Sequence, residues 1–498
     1  MAVSEEVLST YNINANGLNV LVEIIKGKDF VPIYKVTTTG ISDATKLLVF
    51  SWRQELISMV PIDPTRVQDK IYSEEINRKY VAATLMLINK YLPNTAEETK
   101  KVIIAYVLNM MLGFGDLEIP IADPNLEEIA VNGSKQPVWV FHKDIGWCKT
   151  TINLYNEDLI YSDAEHIGRN VGREINNLQP LMDAELPDGS RVNATLFPIS
   201  QVGNTLTIRK FSKNPWTMIA MVKNKSVNSE LASLIWLAIQ NEICLLISGG
   251  TASGKTSFLN AMSIFFPPTR RIISVEETKE LSLPNIYQWV SMITRQPNPE
   301  GKGEVTLYDL MINALRQRPD IILVGEVRTQ KDAETLFEAI HTGHSVYGTV
   351  HADNAQDTIV RMTNPPINIP KITMNALGGI IVNFRHRFLG IRRVLEFAEV
   401  LNNGDANVLY RWNMSRDQQL KIGTMTRLLD LLNMYAGMSQ SDINDDLNEK
   451  SQVIEWMVKN NIIDVNNCGL VIAKYYSNKD ELMEMVKKDT PFSPELFK

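Results

Sequence analysis

Short apolar runs separated by longer amphipathic stretches dominate the middle of this chain. ICLLIS at 243–248, RIISV at 271–275, DIILV at 320–324 and SVYGTV at 345–350 are each of strand length, with helix-like segments between them. Strands apolar on both faces that alternate with helices predict a largely parallel sheet in an α/β domain. Upstream, from about residue 100, KKVIIAYVLNMMLGFG reads as a helix, and PVWVFH and GWCKTTI read as a hairpin; together they predict a small α+β domain. The polar, lysine-rich stretch 211–229, with Pro215, reads as a linker between the two. Beyond 402, the turn NNGD and the strand-like VLYRW give way to amphipathic segments with Ser439, Ser441, Asp442 and Asn444 as candidate N-caps, a helical appendage. The first 95 residues mix apolar stretches such as 47–52 with a helical tract at 74–92 and carry no legible function. The predicted organisation is an accessory region at 1–95, an α+β domain at 96–212, a linker at 213–229, an α/β domain at 230–410 and a helical region at 411–498.

Composition narrows the class. The 498 residues are 44% hydrophobic and 21% charged, with 26 glycines and 22 prolines, which excludes disordered and collagen-like chains and is too long for one core. A net charge of −7 gives a mildly acidic field that does not gather nucleic acid, so no nucleic-acid partner is expected. Cys148, Cys244 and Cys468 are odd in number and far apart, and read as reduced, buried thiols of a cytosolic protein. The longest apolar candidate, 231–248, is interrupted by Gln240, Asn241 and Glu242, and the N-terminus has Glu5 and Glu6 where an export signal needs basic residues. A cytoplasmic location is expected.

The strongest chemical signal is GGTASGKTS: Gly249, Gly250, Thr251, Ala252, Ser253, Gly254, Lys255, Thr256 and Ser257 follow an apolar run and precede a helical one. Glycines permit a tight turn whose backbone N–H groups wrap a phosphate at a helix N-terminus. Lys255 would reach the terminal phosphates of ATP, and Thr256 would bind Mg2+. DIILVGEVR ends a second strand in Glu326, a candidate base for the attacking water and a candidate Mg2+ partner at the same sheet edge. RIISVEE ends a third in Glu276 and Glu277; adjacent like charges disfavour both pointing inward, and Glu276 is the one expected to do so. His341, His344 and His351 fall within eleven residues, but a strand separates the last two, so they are no zinc site; a polar role near the γ-phosphate is expected of His344 and His351. Candidate cations for charge developing on the phosphoryl oxygens are Arg191, Arg209, Arg316, Arg318 and Arg328, with a further basic cluster in RHRFLGIRR at 385–393.

In that order GGTASGKTS, SVEETKELSLP, LRQRPDIILVGEVR and HTGHSVYGTVHADN resemble the phosphate loop, acidic box, second acidic motif and histidine box of the secretion ATPase superfamily, which serves type II and type IV secretion, type IV pili and archaella. GDLEIPIADPNLEEIAVNG, LPDGSRVNATLFP and LTIRKFS resemble its N-terminal domain. The resemblance covers roughly residues 100–400 and implies a RecA-like ATPase domain behind a smaller domain that covers the nucleotide. It implies catalytic roles for Glu326, Glu276, His344 and His351, and γ-phosphate contacts for Arg191 and Arg209. The acidic box departs from the usual pattern in carrying Glu277 where Asp is common. No tetracysteine insertion follows the histidine box, which makes the chain similar to the archaeal branch. The family further implies a homo-oligomeric ring, expected to be a hexamer, held at the inner membrane face by an integral-membrane platform protein and serving a pilin-like or archaellin-like filament. Two rivals stand beside this motor: a RecA-like nucleic-acid translocase, and a nucleotide-sensing scaffold that does not hydrolyse.

Overall fold

Two adjoining residues of positive φ, Asn16 at 49° and Gly17 at 91°, fold the chain back between β1 (Glu6–Ala15) and β2 (Leu18–Lys26). An Asn-Gly pair adopts this tight hairpin geometry at little cost, and the twist suits the flanking strands. The computed structural model describes residues 6–27, 30–61, 70–186, 188–211, 215–297, 301–386 and 388–497. The chain forms two compact units, Met1–Lys213 and Asn214–Lys498.

In the first unit β3 (Ile33–Thr38) continues the antiparallel meander. Later come β4 (Leu126–Asn132), β5 (Trp139–His142), β6 (Gly146–Thr150), β7 (Leu181–Glu185), β8 (Arg191–Thr195) and β9 (Thr205–Arg209). β3 pairs in parallel with β6, which joins all of them into one nine-stranded sheet of order β1-β2-β3-β6-β5-β4-β9-β8-β7. The hairpin read at 137–152 is β5 with β6. Strands β1, β2 and β3 therefore belong to the same sheet as the α+β region, instead of being set apart by a boundary near 95. On β2, Val20, Val22 and Ile24 alternate inward and belong to the same buried apolar cluster as Ile129, Val131, Val140 and Ile208. A second apolar cluster, Trp52, Leu56, Tyr80, Ile88, Ile103 and Val107, sits among helices Arg53–Met59, Lys70–Tyr91 and Glu97–Leu112.

The second unit is α/β. Its sheet is built from β10 (Leu245–Gly249), β11 (Arg271–Glu276), β12 (Gln288–Ile293), β13 (Ile321–Val324), β14 (Ser345–Val350), β15 (Gly379–His386), β16 (Ile391–Val400), β17 (Ala406–Asn413) and β18 (Gln418–Lys421). The order is β12-β11-β13-β14-β10-β15-β16-β17-β18. From β12 to β15 every pairing is parallel; β15 to β18 run antiparallel. This is the RecA-like core, and the four apolar runs are four of its parallel strands.

Parallel strands need cover on both faces. Leu246, Ile273, Val275, Ile322, Val324 and Val346 face Leu310, Met311, Leu336, Phe337 and Ile359 on the helices following β12, β13 and β14. Leu245, Ile247, Leu323 and Tyr347 face the opposite layer, with Trp236, Phe258 and Phe265. The C-terminal helices Gln440–Lys459 and Val465–Ser477 contribute Val453, Ile454, Trp456, Val471 and Ile472 to that same cluster. They are thus part of the layer that closes the core, where the sequence had suggested an appendage. The expected linker differs likewise: 213 and 214 lie outside the described residues, but Met218–Lys223 is a helix, capped by Thr217, with Met218, Ile219 and Met221 buried in this core. Cys148, Cys244 and Cys468 are buried and free. Among the described residues no single helix is long and apolar enough to cross a membrane.

Candidate functional site

β10 is buried along its length, and its last residue, Gly249, leaves the sheet with φ 150°. A Cβ there would lie 2.4 Å from both the Asn383 carbonyl oxygen and Ser253 Oγ, so the turn closes only around glycine. Gly250 is tight on another side, since its Cβ would sit 2.9 Å from Asp353 Oδ1. Ala252, at φ 59°, and Gly254, at φ 91°, complete the loop, and helix Lys255–Ser263 begins immediately with no side chain capping it. Thr256 and Ser257 lie in its first turn, where helical N–H groups have no partner within the helix.

Lys255 bends back over the loop. Its Nζ donates to the Gly249 carbonyl at 3.1 Å and the Gly250 carbonyl at 3.4 Å, and stands 4.0 Å from Glu326 Oε1. Burial pushes its pKa down, opposed by the Glu326 carboxylate. Glu326 follows β13 through Gly325, and this loop is pinned by three bonds: Gly325 N–H to the Val275 carbonyl at 2.9 Å, Val327 N–H to the Thr349 carbonyl at 2.8 Å, and Thr349 Oγ1 to the Gly325 carbonyl at 2.5 Å. Arg328 bonds Glu326 and Glu277 together, at 2.7 Å to each.

The other candidates divide between this edge and elsewhere. His351 directly follows β14, whose Val350 pairs with Ser248, so it lies at the phosphate-loop edge. His344 precedes β14 and lies at the opposite edge, with Nδ1 3.1 Å from both Thr342 Oγ1 and the Ala339 carbonyl oxygen. Six strand residues span about 20 Å, so His344 is removed from the γ-phosphate role expected of it. Arg316 and Arg318 precede β13 and share that far edge. Glu276 also departs from expectation: its carboxylate is buried and accepts the N–H groups of Glu280 and Leu281, at 2.9 and 3.1 Å, anchoring its own loop. Glu277, just beyond the strand end, is the one tied to Glu326. Arg191 and Arg209 are cross-strand partners on β8 and β9 of the first unit.

Two further residues support the loop. Asn383 Nδ2 donates to the Gly254 carbonyl at 3.1 Å, and Arg392 Nε to the Ala252 carbonyl at 3.2 Å. Arg392 belongs to the basic cluster read at 385–393, of which 387 lies outside the described residues; Arg393 instead pairs with Asp417 at 2.7 Å. Nothing local in the sequence marks Asn383, which reaches Gly249 through the β10–β15 register.

The donor set suits a nucleoside triphosphate. It combines a glycine cradle, an uncapped helix N-terminus, a half-buried ammonium, and a buried Ser253 hydroxyl with no hydrogen-bond partner among the described residues. Among those residues, no three His, Cys, Asp or Glu side chains are grouped to hold a metal ion by themselves. Thr256 and Glu326 suit Mg2+, which takes few protein ligands and completes its shell with phosphate and water.

Residues 159–383 match the family described as Type II/IV secretion system protein. The uncharacterized protein MJ0900 of Methanocaldococcus jannaschii is 32% identical over 395 residues, covering 77% of this chain and 71% of that protein. A putative conjugal transfer protein of Mycobacterium tuberculosis is 31% identical over 277 residues, covering 54% of this chain and 75% of the relative. The ATPase DotB of Legionella pneumophila aligns at 17% identity with a TM-score of 0.42, covering 76% of this chain and 92% of the solved chain.

Proposed function

Because the chain belongs to the type II/IV secretion system protein family, we propose that it is an ATP-hydrolysing ring motor driving assembly of a type IV pilus-like filament, an archaellum, or type II/IV-like secretion. One observation carries the reading: the ammonium of Lys255, from the loop after β10, and the carboxylate of Glu326, from the loop after β13, face each other at 4.0 Å on one sheet edge.

In this mechanism the loop N–H groups and Lys255 bind the β- and γ-phosphates, the ammonium giving up the Gly249 and Gly250 carbonyls for phosphoryl oxygens. Glu326 orients the attacking water and accepts its proton as the γ-phosphoryl leaves ADP. Mg2+, when bound near Thr256 and Glu326, neutralises charge on the phosphates. Arg191 and Arg209 supply cations for the charge that develops on the phosphoryl oxygens, and His351 adds a polar contact there. A hexamer turns hydrolysis into motion, passed to an integral-membrane platform protein from the cytoplasmic side and on to pilin-like or archaellin-like subunits.

The test is steady-state ATP turnover of the full chain. Lys255→Ala abolishes it, and Glu326→Gln lowers kcat by about 100-fold or more while still binding an ATP analogue. Turnover surviving Lys255→Ala refutes the reading, and salt-sensitive stimulation by DNA favours the translocase instead.

A further inference from the structure

A single guanidinium links Glu326 to the acidic box. Arg328 Nε and Nη2 donate to Glu326 Oε2 at 3.1 and 2.7 Å, while Nη1 donates to Glu277 Oε1 and Oε2 at 2.9 and 2.7 Å. We propose that Arg328 is a positioning residue for hydrolysis: held by Glu277, it occupies Oε2 of Glu326 and leaves Oε1 directed toward Lys255 to accept from water. This rests on the hydrolytic role proposed above for Glu326.

A glutamate on a loop has three rotatable bonds with which to lose its aim. The planar guanidinium fork fixes it because two N–H groups converge on one oxygen. The remaining oxygen, Oε1, is 4.0 Å from Lys255 Nζ, beyond hydrogen-bond range, so that ammonium leaves Oε1 able to accept from a water. The tie runs from the loop after β11 to the loop after β13, two neighbouring parallel strands, and therefore crosses the sheet edge where phosphate chemistry is placed. The Glu277 carboxylate accepts at both oxygens from one nitrogen of Arg328, which leaves the other two N–H-bearing nitrogens for Glu326. The side chains of Arg328, Glu277 and Glu326 are 56%, 39% and 24% exposed, and ion pairs so open to solvent add little to stability. Removing Arg328 is therefore expected to change turnover far more than unfolding.

The experiment uses the full chain with Arg328→Ala, Arg328→Lys, Glu277→Gln, and Glu277→Gln combined with Arg328→Ala. Three quantities are measured: steady-state kcat, affinity for a non-hydrolysable ATP analogue, and the thermal unfolding midpoint. Arg328→Ala lowers kcat about 10- to 100-fold, with analogue affinity and midpoint unchanged. Arg328→Lys fails to restore the rate, since one ammonium does not reproduce the fork. Glu277→Gln costs less, and the double variant is no slower than Arg328→Ala because Glu277 acts through Arg328. Four results overturn the proposal: an unchanged kcat in Arg328→Ala; full rescue by lysine, which makes charge alone sufficient; analogue affinity falling as far as kcat, which makes Arg328 a phosphate ligand; or multiplying losses in the double variant. Lys255→Ala separates the two levels. If it leaves turnover intact the hydrolytic reading fails. If it silences turnover while Arg328→Ala changes nothing, only the positioning role fails.

Discussion

Gly249→Ala isolates what the phosphate loop requires of its backbone. At φ 150° an added Cβ meets the Asn383 carbonyl oxygen and Ser253 Oγ, each at 2.4 Å, and the Asn383 carbonyl carbon at 3.2 Å. Strain at such a φ costs about 1–3 kcal/mol, and forcing a methyl against backbone costs about 1–3 kcal/mol more. The combined loss is about 2–6 kcal/mol if the loop stays closed, and less if the loop opens. Gly343→Ala supplies the internal control, because its φ is 92° but nothing lies within 4 Å of the added Cβ, so it carries the strain alone, about 1–2 kcal/mol. Urea unfolding midpoints of the two variants are compared directly, since a chain of two units need not unfold in one step. Binding of a non-hydrolysable ATP analogue is measured alongside. The larger midpoint shift, or the loss of analogue binding, belongs to Gly249→Ala. Equal midpoint shifts together with wild-type analogue binding in Gly249→Ala would show that the clash is relieved without disturbing the loop, and the steric reasoning would be refuted.

Trp236→Ala is expected to destabilise the second unit by about 3–5 kcal/mol in chemical denaturation, because the fully buried indole stacks on Phe265 at 4.9 Å and packs on Tyr475 at 4.6 Å; a loss under 1 kcal/mol would mean that the C-terminal helices do not lean on it. Lys450, enclosed by Asp446, Glu449, Tyr475 and Lys479, has its pKa pushed down to about 8 by burial, against the attraction of Asp446. Below that pH both states are charged and the fold bears the burial penalty; above it the fold has lost a proton that the unfolded chain keeps, so stability rises from about pH 8 toward 10. Unfolding midpoints in that window rise for the wild type and lose that rise in Lys450→Met; identical slopes would count against the assignment.

The parallel strands and the glycine loop were legible because each is written within a few consecutive residues. An apolar run of strand length and a glycine pattern before a helix need no knowledge of distant neighbours. The histidines show where such reading stops. His344 and His351 bracket one strand, so they necessarily occupy opposite edges, and a shared role had to fail for one of them. Glu276 and Glu277 differ by one position, but β11 ends between them, which buries the first in its own turn and frees the second for Arg328. For the helices after 427, amphipathic spacing announced a buried face without saying against what; the answer is the face of the parallel sheet that Trp236 also covers. The opening hairpin carries a local sign of its own, Asn16-Gly17 beside alternating valines.

The supports of the phosphate loop extend the same argument. Asn383 stands opposite Gly249 because β15 is the parallel neighbour of β10, and Arg392 arrives one strand further on, in the antiparallel half of the sheet. Each engages a loop carbonyl, that of Gly254 or of Ala252. A carbonyl held away from the phosphate side leaves the N–H groups of the loop turned toward it, so these two side chains hold the loop ready for an anion. One support thus comes from the last strand of the parallel array and the other from the first strand of the antiparallel extension, which thereby helps hold the most recognisable motif of the RecA-like core, and sheet order, unlike motif spacing, is a property of the folded chain alone.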